Sequence, residues 1–239
     1  MNKDNLIFLD TETTGAGEQD RLCQVAYMYQ GEQYEQLFKP PLPISFDAMA
    51  VTHITNEMVD GQPDFAGSEM FNHIKELLAK GEILVAHNAK FDISMLEKEG
   101  IEVPKFIDTL KVARALDPDE KIPRYALQYL RYFLNLQITG VQAHDALGDV
   151  IVLEALFDRL YEKAKNQHGD NAIAWMVEIS ALPMMIPSFN FGKYRGQKVA
   201  DVAEGDKGYL EWLLRQKEEA AANGDTDEDW IYTLKAYLK

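Results

Sequence analysis

Asp10 and Glu12 are separated by one residue and stand where the apolar run 6–9 gives way to the polar stretch 10–15, Asp-Thr-Glu-Thr-Thr-Gly. Side chains alternate along a strand, so both carboxylates project from one face at the exit of a buried strand. Hard oxygen donors at that spacing suit a pair of divalent cations. Two further carboxylates occupy similar contexts. Asp92 follows a second apolar run within residues 85–92, and Asp149 closes residues 144–149, His-Asp-Ala-Leu-Gly-Asp. An Asp-x-Glu pair alone is more often a turn or a helix cap, but four such carboxylates in order read as a nuclease-type metal site.

The elements that must position these groups follow from periodicity. Residues 6–10, 22–29 and 34–38 read as three strands joined by tight turns, with Gln30 and Gly31 in the second. Residues 64–80 carry Phe65, Met70, Phe71, Ile74, Leu77 and Leu78 at helical spacing, and Gly81 is a natural stop. Residues 83–86 read as a buried strand, and Asn88 as the cap of a helix that begins at Ala89 and carries Asp92 in its first turns. A short strand at 106–108 feeds a helix through Leu116, and 124–134 is another amphipathic stretch. His144 and Asp149 are five residues apart, roughly 140° on one regular helix, so His144 precedes the helix and Asp145 caps it. Strands followed by crossover helices, after initial hairpins, predict an α/β fold with a mixed sheet and flanking helices.

The pattern weakens between Tyr161 and Pro187, which predicts a domain at 1–165, a linker at 166–187 and a small α+β module at 188–239. Within that module Trp212 reads as core and residues 218–229 as an acidic surface loop or helix end. Cys23, the only cysteine, excludes an intrachain disulfide and reads as a core strand residue. The apolar runs are too short for a membrane span and no signal-peptide pattern opens the chain, so a cytoplasmic protein is expected.

The formal charge of −15, from 24 Lys and Arg against 39 Asp and Glu, is the strongest objection to a nucleic-acid substrate. Part of the excess belongs to the proposed ligands, and two divalent cations would offset about four charges where a phosphodiester must sit.

Asp10, Glu12, Asp92, His144 and Asp149 resemble, in order and flanking pattern, the motif set of the DEDDh, or DnaQ-like, 3′ to 5′ exonucleases, over most of residues 5–165. Residues 189–196 and 206–213 also resemble the C-terminal segment of one member, extending the similarity almost to the end. The resemblance implies a ribonuclease H-like sheet and two Mg²⁺ ions, with Mn²⁺ an alternative. It also implies removal of nucleotides from the 3′ ends of DNA, single-stranded and duplex, releasing nucleoside 5′-monophosphates in repair-type processing. It makes Asp10, Glu12, Asp92 and Asp149 metal ligands, Asp10 shared by both ions, and His144 the general base, an imidazole titrating near neutrality.

Further candidates for nucleic-acid contact are Thr11, Thr13 and Thr14 beside the ligands, His53 in residues 49–55, and Lys193 and Arg195 in the tail. Each has a plainer reading: β-favouring threonines, a solvated turn, and an exposed hairpin between Gly192 and Gly196. His87 reads as a packing residue. Two other functions fit the same residues: an RNA 3′ exonuclease of the same family, and a noncatalytic acidic module for a basic protein partner.

Overall fold

The computed structural model describes residues 3–138, 146–223 and 227–239. They form two compact units, Met1–Ala181 and Leu182–Lys239. The first contains strands β1 (Leu6–Thr13), β2 (Leu22–Tyr29) and β3 (Glu32–Leu37), then helices α1 (Phe46–Thr52), α2 (Asn56–Val59) and α3 (Glu69–Ala79). Strand β4 (Ile83–Ala86), helix α4 (Lys90–Lys98), strand β5 (Phe106–Asp108) and helices α5 (Thr109–Ala115), α6 (Leu127–Phe133), α7 (Ala146–His168) and α8 (Ala172–Ala181) follow.

The five strands form one mixed sheet in the order β3-β2-β1-β4-β5. The hairpin strands pair antiparallel, β1 with β2 and β2 with β3, whereas β1 with β4 and β4 with β5 are parallel. This is the mixed sheet with flanking helices expected from the sequence. β1 is central, and its alternate residues build two different cores. Leu6 and Phe8 join Met28, Val85 and Ile107 with Val150, Leu153 and Phe157 of α7. Ile7 and Leu9 join Val25, Tyr27 and Leu84 with Ile74 and Leu77 of α3 and Met95 and Leu96 of α4. The register shifts between Glu12 and Thr13, a bulge at the end of the strand that carries the carboxylates.

Several expectations change. Residues 166–181 are not a linker: α7 runs to His168, and α8 buries Ala172 and Met176 in the α7 core, so the boundary falls after Ala181. The polar residues that weaken the periodicity there lie on the outer side of helices held by one apolar stripe. The tail is helical rather than α+β, with α9 (Val199–Gly205), α10 (Lys207–Ala222) and α11 (Glu228–Leu238) and a single isolated bridge, Ser188 to Lys198. Its core is Phe189, Val199, Val202, Leu210, Leu213, Trp230 and Leu234. Trp212, expected in that core, is 47% exposed, because Leu210 and Leu213 face inward instead. Most of the predicted acidic segment is helix, α10 continuing to Ala222 and α11 beginning at Glu228.

Phe157 is fully buried and meets the edge of Phe8 at 5.3 Å between ring centroids, tying α7 to β1. Phe157→Ala is expected to destabilise the first unit by about 3–5 kcal/mol, the range for deleting a buried ring. Urea unfolding followed by tyrosine and tryptophan signals checks it; a loss below ~1 kcal/mol would mean that α7 is not packed on β1 through this pair.

Candidate active site

Asp10 and Glu12 share the parity of Leu6 and Phe8, so the alternation that buries those two against α7 aims the carboxylates toward Asp149 in the first turn of α7. Thr11 shares the parity of Ile7 and Leu9, the side covered by α4. There its hydroxyl donates to Asp92 Oδ1 at 2.7 Å, and Asp92 is 4% exposed. One strand therefore reaches both helices with adjacent residues. On the α7 side, Gln128 Nε2 of α6 donates to Asp149 Oδ1.

The electrostatics show how closely the four acids are gathered. Burial first, then the charges of Asp92, Asp149 and Glu12, hold the Asp10 carboxyl well above the usual carboxylate range. Burial raises Asp92 to about 7, opposed by the Thr11 hydroxyl and by the backbone N–H groups of Asp92 and Thr11. Among the described residues no three His, Cys, Asp or Glu side chains close into metal-ligand geometry; Asp92 and Asp149 are turned to Thr11 and Gln128. The donor chemistry nevertheless fits a divalent cation. Mutually repelling, desolvated carboxylates are hard oxygen ligands whose repulsion a bound cation relieves. His144 and Asp145 lie outside the described residues.

The other candidates separate. Thr11 and Thr13 are buried with engaged hydroxyls, Thr13 donating to the Gly15 carbonyl at 2.7 Å, so neither side chain is presented to a ligand. Thr14 donates to Asp20 Oδ1 at 2.7 Å, and Asp20 Oδ2 also accepts from Gly17 N at 2.6 Å. A Cβ on Gly15 would lie 2.6 Å from that carboxylate, which explains the glycine. His53 is exposed and terminates α1 in the left-handed region at φ 60°, its N–H donating to the Met49 carbonyl at 2.9 Å. In the second unit Lys193 Nζ pairs with Asp206 at 3.0 Å and lies over the rings of Tyr194 and Tyr209, a structural engagement. Arg195 is exposed.

His87 is structural, as the sequence suggests. Its Nε2 lies 2.7 Å from the Tyr125 carbonyl and therefore carries the proton, Nδ1 accepts from Thr109 Oγ1 at 2.9 Å, and burial lowers its pKa to about 4. Sequence reasoning missed Gln128, which no local pattern marks. It also missed Asp108, whose position between a short apolar strand and a helix is a readable cap signal.

Against known proteins, residues 7–157 match the family described as Exonuclease, and residues 189–218 the Exodeoxyribonuclease X-like C-terminal family. The chain is 35% identical to Exodeoxyribonuclease 10 of Escherichia coli (strain K12) over 98% of this chain and 99% of that protein. It is 32% identical to DNA polymerase III subunit epsilon of Treponema pallidum (strain Nichols) over 67% of this chain and 78% of that one. Among solved structures, Exonuclease X in complex with 5′ overhanging duplex DNA superposes with a TM-score of 0.56 at 29% identity, over 74% of this chain and 99% of that chain. The fold and gathered acids are those of a nuclease class, and the chain belongs to the exonuclease family. It is a 3′–5′ exonuclease, a hydrolase. Family membership sets aside the noncatalytic acidic module.

The raised carboxyls fix a pH dependence. A carboxyl whose pKa is raised on folding binds its proton more tightly in the native state, so stability falls as pH rises from the unfolded value near 4 through the folded value near 7. Divalent ions require the ionised forms. Mg²⁺ is therefore expected to raise Tm more at pH 8 than at pH 5.5, its stabilisation at pH 8 reaching roughly 2.7 kcal/mol at about 100 times its Kd. Asp92→Asn is expected to flatten the metal-free pH slope. Thermal scans at both pH values check this; equal Mg²⁺ shifts would remove these carboxylates as ligands.

Proposed function

We propose that this chain is a divalent-metal-dependent exodeoxyribonuclease that removes nucleotides from DNA 3′ ends, single-stranded and duplex, and releases nucleoside 5′-monophosphates in repair-type processing. The observation that carries the reading is the convergence on Asp10 of three further acids from β1, α4 and α7. Support for DNA comes from the full-length relative named Exodeoxyribonuclease 10 and the neighbour solved with duplex DNA, which aligns with almost its whole length to this chain.

Asp10, Glu12, Asp92 and Asp149 would hold two Mg²⁺, with Mn²⁺ acceptable to the same oxygens. Bound there, such ions stabilise charge developing on the attacking and leaving oxygens of an in-line phosphodiester hydrolysis. The chain's own residues do the rest. Thr11 fixes the rotamer of Asp92, Gln128 orients Asp149, and the apolar clusters behind β1 exclude water from the strand that carries Asp10. His144 accepts the proton of the attacking water, and its imidazole is suited to that role at neutral pH. His53 and Arg195, both exposed, are the remaining side chains for nucleotide contact. Among the described residues no helix is long and apolar enough to cross a membrane, in keeping with a cytoplasmic enzyme.

The test is a ladder assay on matched DNA and RNA oligonucleotides labelled at the 5′ end, with Mg²⁺ or chelator. Wild type is expected to shorten DNA from the 3′ end only with metal, and Asp10→Ala to abolish this. His144→Ala is expected to lower turnover about 10²- to 10⁴-fold while retaining Mg²⁺ stabilisation. Preferential shortening of RNA would overturn the DNA assignment; near-normal hydrolysis by Asp10→Ala would overturn the site.

A further inference from the structure

We propose that Asp108 is a positioning residue for Asp92: its buried carboxylate fixes the turn that starts α4, and through it the placement of Asp92 against β1. The inference rests on the metal-dependent reading above and deepens it.

Asp108 ends β5 and is 1% exposed, so it touches no substrate. A carboxylate that deep is costly unless its oxygens are satisfied. Its oxygens accept four backbone N–H groups. Two are the start of its own helix, Leu110 N at 3.0 Å and Lys111 N at 3.4 Å. The other two belong to a different segment: Asn88 N donates at 3.0 Å to Oδ1 and Ala89 N at 3.1 Å to Oδ2. Capping α5 needs only the first pair.

The second pair matters because the turn into α4 lacks local support. The sequence suggests Asn88 as the cap, yet Asn88 sits in the left-handed region at φ 65°, and the N-cap position, Ala89, has no side chain that could cap. A left-handed backbone is strained for a residue with a Cβ, though least so for Asn. Asp108 supplies across the parallel β4–β5 pair, where Ala86 faces Asp108, the anchor the turn lacks. From there the first turn of α4 carries the constraint forward: Phe91 N donates to the Asn88 carbonyl at 3.0 Å and Ile93 N to that of Ala89 at 2.9 Å. Asp92 lies between them and meets Thr11 at 2.7 Å.

Asp108 is itself braced. Its N–H donates to Ser180 Oγ at 2.8 Å, Ser180 Oγ donates to the Met176 carbonyl at 2.6 Å, and Lys111 Nζ donates to the Ser180 carbonyl at 2.9 Å. Buried hydrogen bonds thus run from α8 through Asp108 to Ala89, three residues before the metal-ligand candidate on α4. An amide cannot replace the carboxylate, because its NH₂ would confront the N–H of either Ala89 or the Asn88–Leu110–Lys111 set.

The test measures the Mg²⁺ concentration that gives half of the full Tm rise, with isothermal titration of Mg²⁺ as a second readout. Asp108→Asn is expected to raise it about 10- to 100-fold, the span for losing a group that orients a ligand. In an Asp92→Asn background, the same change is expected to add no further rise. Asp117→Asn, which removes acceptors for Ile122 N and Tyr125 Oη at the far end of α5, is the destabilised control and should leave the Mg²⁺ midpoint unchanged. If Asp108→Asn does not fold, Ser180→Ala carries the test with a rise in the same direction. An unchanged midpoint in Asp108→Asn, or in Ser180→Ala where it stands in, overturns the role of Asp108 alone. A wild type with no Mg²⁺ response overturns this inference and the metal-dependent reading together.

Discussion

Asp10 and the three acids within electrostatic range of it form the constraint around which the first unit is organised. Such a group repels itself, and burial deepens the cost by raising the carboxyls toward their protonated forms. It persists because the scaffold over-determines its position. β1 is gripped on both faces, Leu6 and Phe8 by the α7 side and Ile7 and Leu9 by the α3 and α4 side, so the strand cannot recoil from the charge at its end. A slip of one residue would turn Asp10 and Glu12 toward α4 and expose Thr11 and Thr13 to α7, exchanging the two faces of the site.

The net charge of −15 takes on a local meaning in that frame. The second unit does not answer it with a plainly basic surface: Lys193 is committed to Asp206 and two tyrosine rings, and Lys217 to Asp227. On the proposed reading, cations gathered by the acids would supply attraction for a phosphodiester that the surface charge does not.

How much was legible follows the range of each interaction. The strands, α3, the β4–α4 step and the α7 stripe were readable because a buried face writes its period into consecutive residues. The candidate acids stood out because metal chemistry would demand particular side chains at strand and helix ends. Asp108 was readable only as a helix cap; its hold on Asn88 and Ala89 depends on β4 and β5 lying side by side, which no local pattern encodes. Gln128 is a glutamine on a seven-residue helix, and its partner is 21 residues away. The linker expectation failed at residues 166–181 for the converse reason. His168, Gly169 and Asp170 look like a break, but the apolar stripe resumes in α8 and packs on the same core. In the tail, glycines at 192 and 196 suggested a hairpin, and both take left-handed φ values, 67° and 85°, in a reversal closed by Phe189 N to the Gln197 carbonyl and the Ser188–Lys198 bridge.

The two sides of the site differ in burial. Asp92 is buried and tied to Thr11, whose strand is central in the sheet, and its helix start is tied through Asp108 to α8. Asp149 is half-buried and turned to a neutral amide from a short surface helix, α6, whose Tyr132 and Phe133 are exposed. A hydrogen bond from an amide to a carboxylate is charge-assisted and worth about 1.5–3 kcal/mol. β1 and α4 thus form the more deeply buried side of the site, and Asp149 on α7 the more accessible one.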